Sequence, residues 1–598
     1  MPQIKVLIPG PWWDGLCYDC DSLLPAGVRV SVPFKQGVRV GICVGEYTGD
    51  VQFEKKKVLK VLDESPVVSP EYLQASERIA RAFLCSQSDV LRSLLPSLFW
   101  KNANMSTFFE EKGDVSRTEF FYRYSDKERY ERYRKELISC KKGALCIFPE
   151  SSRSKLFYKS LKGLVPSERL IFWPRTGGKT AIKAWNAALS CKNPVIIGGP
   201  KAASAPMSHP GLIIVDEECN PSLYLYNLPQ FSLRSFAAAR GRISFANVIL
   251  GGRIPSSSVF DNADLSQVDD KNFGGKNFSE RVVSIYKVPK VPFKGIIFPL
   301  PMSDVVIRET VKRVSDGKVV FWLLDRRGVS SCIRCAECGE DLQCSKCGRP
   351  LVYEKGYLRC PSCNRRMPIP DVCPLCGGYL LQGTMPGLET ILPMAKQLVQ
   401  NSPVYVWHQG NPSKESEKKK IIKSLNTGGG LVLGSRSALS LLDYVNPSMV
   451  CWLDADAEQY RPSYSSKFYA YSMFLESCWR GASSRDVVFQ SRYPQQQCIK
   501  ALSYGWRYFW RNELTERAAL GFPPVSYLVE ISLPKRWGNK SALLGELSDA
   551  GFVPMQSESE NEFSILAEHI VPLRRVLEKY FDITRSRYGF PTVRVYLD

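Results

Sequence analysis

Histidine is nearly missing from this chain: three residues, His209, His408 and His569, stand among 598. None lies within the cysteine-rich segment 332–376, so a metal held there must be bound by thiolates alone. No stretch approaches the roughly eighteen apolar residues that a membrane-spanning helix needs. The opening MPQIKVLIPG lacks the basic n-region and apolar h-region of a signal peptide, so the expectation is a cytoplasmic protein with reduced thiols. Acidic residues are in deficit: 59 Asp and Glu against 80 Lys and Arg leave a formal net charge of +21. The basic residues run the length of the chain (Lys55–Lys57, Arg132–Lys142, Lys418–Lys420, Arg574 and Arg575) rather than forming a tail. That distribution points to an extended polyanion-binding surface; a solvated basic face is the plainer reading. Repeats and low-complexity tracts are absent.

Cysteine, by contrast, is concentrated. Nine of the 20 fall between Cys332 and Cys376, and eight form C-x2-C pairs: Cys335/Cys338, Cys344/Cys347, Cys360/Cys363 and Cys373/Cys376. Each such turn aims two thiolates at one point, so four turns predict two tetrahedral zinc sites. The link Cys338–Cys344 is too short to fold one knuckle back onto the other. The link from Gly348 to Arg359 reads as two short strands around Glu354-Lys355-Gly356, which returns Cys360/Cys363 to Cys344/Cys347. The outer pairs, Cys335/Cys338 and Cys373/Cys376, then close the other site. Cys332 is read as a bystander in the entering strand.

Along the chain, Ile4–Ile8, Val28–Phe34, Val38–Tyr47 and Lys57–Leu62 alternate as strands, and residues 70–98 carry helical spacing. The expected organisation is multidomain α/β. Residues 1–100 form a β-rich N-terminal unit and 101–142 a polar linker. Residues 143–295 and 296–500 are two parallel-sheet lobes, the second carrying a cysteine insert at 330–382, and 501–598 an α+β C-terminal unit.

Several segments resemble one family. The head RVSVPFKQGVRVGICVG resembles the opening β-unit of the PriA replication-restart helicases, a superfamily 2 family. HPGLIIVDEECNPS resembles its motif II, where DEEH is usual. LLDRRGVSSCIRCAECGEDLQCSKCGRPL resembles the approach to its zinc module, and WRYFWRNELTERAALGFPPVSYLVEISL its junction to the C-terminal domain. The resemblance covers nearly the whole chain. It implies a 3′-DNA-binding head, two RecA-like helicase lobes, ATP hydrolysis, and a winged helix that the short 101–142 segment leaves absent or vestigial.

The parts that handle nucleotide are eroded. A Walker A loop needs G-x-x-x-x-G-K-[ST], so that bare backbone N–H groups cradle phosphate. The nearest candidate, WPRTGGKT (Trp173–Thr180), has Trp173 at the first glycine and lies between segments that in the family follow the P-loop. Asp216 and Glu217 remain as a vestigial nucleotide site, but Cys219 replaces the family's histidine. GGRIPS (Gly251–Ser256) stands for GSATPS, and GSRSALSLLDY (Gly434–Tyr444) for motif V. ESCWRGAS (Glu476–Ser483) stands for QVAGRAGR, keeping Arg480 but ending on Ser483. ATP and Mg2+ are therefore not expected as cofactors, whereas two Zn2+ are.

For DNA, the resemblance carries Tyr18, Gly37 and Lys56 onto the pocket for a strand's 3′ end. Leu16 and Cys17 replace the Phe and Asp that recognise the terminal nucleotide. Arg39 and Lys55–Lys57 are candidate phosphate contacts or a solvated loop. Tyr224, Tyr226 and Phe231 are candidates for base stacking or for the core. The expected function is a primosome protein that binds stalled or abandoned forks and single-stranded DNA, associated with the nucleoid. It would recruit the replicative helicase or its loader, with single-stranded-DNA-binding protein among its partners, and would work without helicase or ATPase activity. An active ATP-dependent 3′–5′ helicase with an atypical P-loop is the alternative; a zinc-ribbon nucleic-acid binder unrelated to restart is a third.

Overall fold

The computed structural model describes the chain apart from residues 11, 50–55, 102–104, 107–115, 176, 226, 228, 272, 274, 275, 277, 286–289, 294, 295, 300, 301, 325–332, 347, 349, 355, 356, 361–364, 384–386, 460–462, 482, 483, 558 and 582–589. Two compact units emerge. One gathers Met1–Arg123, Lys127–Asp270 and Trp510–Asp598; the other gathers Tyr124–Asp126 and Lys271–Phe509. No described helix is long and apolar enough to cross a membrane.

In the first unit, the head is a five-stranded antiparallel sheet in the order Leu16–Asp19, Gln3–Leu7, Gly37–Glu46, Arg29–Phe34, Lys60–Val61. Of the expected strand Lys57–Leu62, two residues pair. Helix Pro70–Ala82 follows, started by Ser69, whose hydroxyl accepts the Tyr72 N–H, and by proline at its first position. Its Glu71 meets Arg240 of helix Leu233–Ile243 at 3.0 Å, and Arg240 also donates to the carbonyls of Ala203 and Ala205. The head is thereby fastened to the lobe beneath it.

That lobe is a six-stranded, all-parallel sheet: Thr118–Tyr122, Asn247–Gly252, Pro210–Val215, Gly143–Ile147, Val195–Gly198, Leu170–Phe172. Its central strands are apolar almost throughout because helices cover both faces. Here the reading of residues 101–142 as a linker fails. Thr118–Tyr122 is an edge strand of this sheet and Asp126–Ser139 is a helix packed on it, with Tyr133 and Leu137 in the lobe's core. The abundance of charge hid a strand and a helix that are half-covered rather than solvated. The C-terminal part, β-α-β-β-α-β, forms an antiparallel sheet in the order Met555–Gln556, Glu562–Ala567, Tyr527–Ser532, Thr592–Tyr596, a split β-α-β arrangement.

The second unit carries another six-stranded parallel sheet: Phe278–Ser284, Arg485–Ser491, Met449–Trp452, Val319–Leu323, Gly430–Gly434, Val404–Trp407. Phe278–Ser284 belongs to it, so the boundary expected at 295/296 falls too late. Two smaller sheets carry the insert: one joins its strands Ile333–Cys335 and Leu381–Gly383 to Ile296–Pro299 and Lys290–Phe293, and the other pairs Val352–Glu354 with Tyr357–Arg359, as the sequence spacing predicts, and adds Arg366–Met367. The architecture is thus a β-rich head, two parallel-sheet lobes and a cysteine insert in the second.

Candidate nucleotide crevice, metal centre and nucleic-acid surface

In an open parallel sheet, ligands bind beyond the carboxyl ends of the strands. In the first lobe, that position is reached by Tyr122, by Asp216-Glu217-Glu218 and by Gly252-Arg253, from three neighbouring strands. The connection after Tyr122 is Arg123–Ser125, with no glycine to lay bare a run of N–H groups. What fills the crevice is Arg129, from the helix that follows. Its Nε donates to Asp216 Oδ1 at 3.0 Å and its Nη2 to Glu217 Oε1 at 2.8 Å, while Nη1 donates to the Arg123 carbonyl. Tyr133 donates to the same Asp216 oxygen at 3.1 Å. Arg253 pairs with Glu217 from the other side.

Glu217 holds a left-handed backbone, φ 48°, which is uncommon for a residue with a side chain. Its two guanidinium partners fix it there, and Gly252 lies so close that a Cβ would stand 3.1 Å from the Glu217 Cα. Glu218 accepts from Tyr122 Oη at 2.9 Å, from the Ser256 N–H at 2.6 Å and from Arg234 at 2.7 Å. Three carboxylates thus meet three guanidiniums, and all six side chains are buried. Burial and the neighbouring Asp216 push the Tyr133 phenol up, as burial and Glu218 push up that of Tyr122. Both phenols stay donors.

The GGKT segment lies elsewhere. It follows Leu170–Phe172, the opposite edge of the sheet, and Lys179 opens helix Lys179–Ser190 after Gly178, φ 77°. Trp173 is buried against Trp185. In the second unit, Arg480 donates to Asp443 through Nε at 3.0 Å and Nη2 at 2.6 Å and also pairs with Glu476, at 1% exposure. Ser483 lies outside the described residues.

Of the cysteines, Cys335, Cys338, Cys373 and Cys376 converge, their sulfurs all within 4.8 Å of one another. Cys335–Cys376 are 3.6 Å apart and Cys338–Cys373 3.9 Å. Zinc–sulfur bonds of about 2.3 Å in a tetrahedron place sulfurs about 3.8 Å apart, so the cluster fits such an ion. The turns are made alike. Gly339 and Gly377 each donate an N–H to the first cysteine's carbonyl in left-handed geometry, φ 79° and 72°. N–H groups of Cys376 and Leu375 lower the Cys373 thiol to about 7, whereas Cys376, despite the N–H of Gly378, is raised to about 12 by the thiols crowded around it. Cys344 and Cys360 are buried in one cluster with Leu342, Leu351, Tyr353 and Leu358. Cys347, Cys363 and Cys332 lie outside the described residues.

In the head, Gly37, Arg39 and Lys56 are exposed. Tyr18 is not: it is 4% exposed, its hydroxyl donates to the Pro33 carbonyl at 3.2 Å, and burial raises the phenol to about 12. It therefore supports the Gly37 turn from beneath. Leu16 and Cys17 are partly exposed, and Lys57 pairs with Asp21. Lys55 and Tyr226 lie outside the described residues. Phe231 is core, edge-on to Phe83, so stacking on bases is ruled out for it, and Tyr224 Oη donates to Asp598 at 3.2 Å.

Sequence reasoning missed Arg129, Tyr133, Arg253 and Arg234. Arg253 had a signal, since it interrupts GSATPS; Arg129 had none once its helix was taken for linker.

Residues 5–96 match the family of the PriA 3'DNA-binding domain (3'BD). Replication restart protein PriA of Thermotoga maritima is 24% identical over 511 residues, 81% of this chain and 68% of that protein. That of Bacillus subtilis is 21% identical over 452 residues, 73% of this chain and 55% of its own length. The chain therefore spans 55% and 68% of these two relatives. A DEAD box protein from the hyperthermophile Methanococcus jannaschii aligns with TM-score 0.31 and 10% identity, covering 67% of this chain and 86% of that one.

Proposed function

We propose that the chain, similar in its head to the PriA 3'DNA-binding domain and along most of its length to replication restart proteins PriA, belongs to that family and serves replication restart as a DNA-binding scaffold without ATP-driven unwinding. It binds stalled or abandoned forks and single-stranded DNA, and recruits the replicative helicase or its loader, with single-stranded-DNA-binding protein as a further partner. It works in the cytoplasm at the nucleoid.

The observation that carries this reading is the Arg129–Asp216–Glu217 cluster. Motif II carboxylates serve a motor by holding Mg2+ and polarising water. Here a guanidinium of the same chain pairs with both, and Arg253 supplies the second positive charge that balances them. A metal–nucleotide would have to displace an arginine whose side chain is fully buried, at a cost of several kcal/mol per buried ion. Arg480, already committed to Asp443, offers no charge to a transferring phosphoryl group.

We assign two structural zinc ions, one to Cys335, Cys338, Cys373 and Cys376 and one to Cys344, Cys347, Cys360 and Cys363. The second is supported by the hairpin Val352–Arg359, which brings Cys360 back to the cluster that contains Cys344. DNA contact through Gly37, Arg39 and Lys56 is supported by their exposure at the head.

The test is an ATPase assay on purified, zinc-replete protein with fork DNA, run beside a DNA-binding titration against salt. Background turnover, with affinity that falls at about −0.7 in log K per phosphate contact on single strands, is expected. Saturable DNA-stimulated hydrolysis would restore the helicase alternative.

A further inference from the structure

Arg234, on helix Leu233–Ile243, divides its guanidinium between two carboxylates. Nη1 donates to Glu218 at 2.7 Å, and Nη2 donates to Asp598 Oδ2 at 2.9 Å. Asp598 lies just beyond the strand Thr592–Tyr596 of the C-terminal sheet, yet it meets three segments of the first lobe. Its Oδ1 accepts the Ser258 N–H at 3.1 Å and also the Ser258 hydroxyl. Its Oδ2 accepts Tyr224 Oη at 3.2 Å besides Arg234. Four donors therefore converge on one carboxylate. Arg234 is 8% exposed at its side chain, so its charge was taken out of water to be spent here.

A guanidinium, a backbone N–H and two hydroxyls converging on one carboxylate are the chemistry that recognises carboxylate and phosphate alike. Glu218 is a positioning residue. It accepts from Tyr122 and from the Ser256 N–H as well as from Arg234, so it turns the guanidinium toward Asp598.

We propose that Arg234, Ser258 and Tyr224 form an oxyanion receptor on the first lobe, that the Asp598 carboxylate is its resident ligand and latches the C-terminal sheet to the lobe, and that free phosphate enters it once that carboxylate is removed. The receptor holds whether or not the chain turns over ATP, so its test reads no nucleotide.

The experiment is thermal unfolding of the full chain as wild type, Asp598→Ala, Asp598→Asn and Asp598→Ala/Ser258→Ala, in inorganic phosphate and in chloride at equal ionic strength. In chloride, Asp598→Ala and the near-isosteric Asp598→Asn melt below wild type by about 2–4 °C. Phosphate restores Asp598→Ala saturably and beyond any general stabilisation seen in wild type. The Ser258→Ala double variant, which keeps Arg234 and its fold, needs several-fold more phosphate. Wild-type melting of Asp598→Asn would overturn the latch. An equal response of wild type and Asp598→Ala to phosphate would overturn the receptor.

Discussion

Arg129 Nε stands 3.0 Å from Asp216 Oδ1, and neither side chain touches solvent. The pair joins the helix after the first lobe's edge strand to the end of a central strand, across the crevice where a parallel sheet binds its ligands. Its removal is the most direct probe of that crevice. Arg129→Ala leaves Asp216 and Glu217 with one guanidinium between them, and breaking such a pair costs about 3–5 kcal/mol. Denaturant unfolding of the first unit should shift by that amount, with no ATPase gained. Unchanged stability would mean that the cluster is not structural.

Lys179→Ala should change nothing in nucleotide handling. Lys179 starts a helix after the edge strand Leu170–Phe172, three strands away from the one that leads to Asp216. A P-loop lysine neutralises the β- and γ-phosphates, and its loss stops hydrolysis. ATP binding and turnover measured side by side should be indistinguishable from wild type. Hydrolysis present in the parent and lost in the variant would place the active site at GGKT.

Zinc analysis should return two equivalents per chain. Cys373→Ser should release one and Cys360→Ser the other, and either should loosen the insert, because metal supplies about 10–16 kcal/mol of apparent folding free energy in such modules. Circular dichroism should retain the two parallel-sheet lobes, whose cores contain none of these cysteines. A single equivalent in wild type would remove the inner site.

Tyr18 gives a pH signature. Burial raises its phenol from an ordinary 10.0 to about 12. The unfolded chain then releases this proton before the folded one does, so the contribution is whole below pH 10 and is lost as pH climbs toward 12. Tyr18→Phe should flatten that part of the stability profile. It should leave DNA affinity nearly intact, since the hydroxyl faces Pro33. A large loss of DNA binding would mean that Tyr18 contacts DNA directly.

Periodicity and spacing made the head strands, the alternating lobes and the Cys335/Cys338 and Cys373/Cys376 knuckles legible in the sequence, because each depends on residues a few positions apart. The irregularities of GGKT were legible too: Trp173 where glycine is needed, and flanking segments in the wrong order. Boundaries suffered where charge masked burial. Thr118–Tyr122 and Asp126–Ser139 read as solvated chain, although they complete the first lobe.

The sequence by itself determined that this chain has two α/β lobes, a thiolate-rich insert, a formal net charge of +21 and no G-x-x-x-x-G-K-[ST] loop. Tertiary structure alone decided what became of the motif II acids. Arg129 precedes Asp216 by 87 positions, Arg253 follows Glu217 by 36, and Asp598 lies 364 beyond Arg234. No local pattern records such pairs. They arise because parallel strands bring their carboxyl ends together, and buried carboxylates in that crevice require cations wherever in the chain those reside.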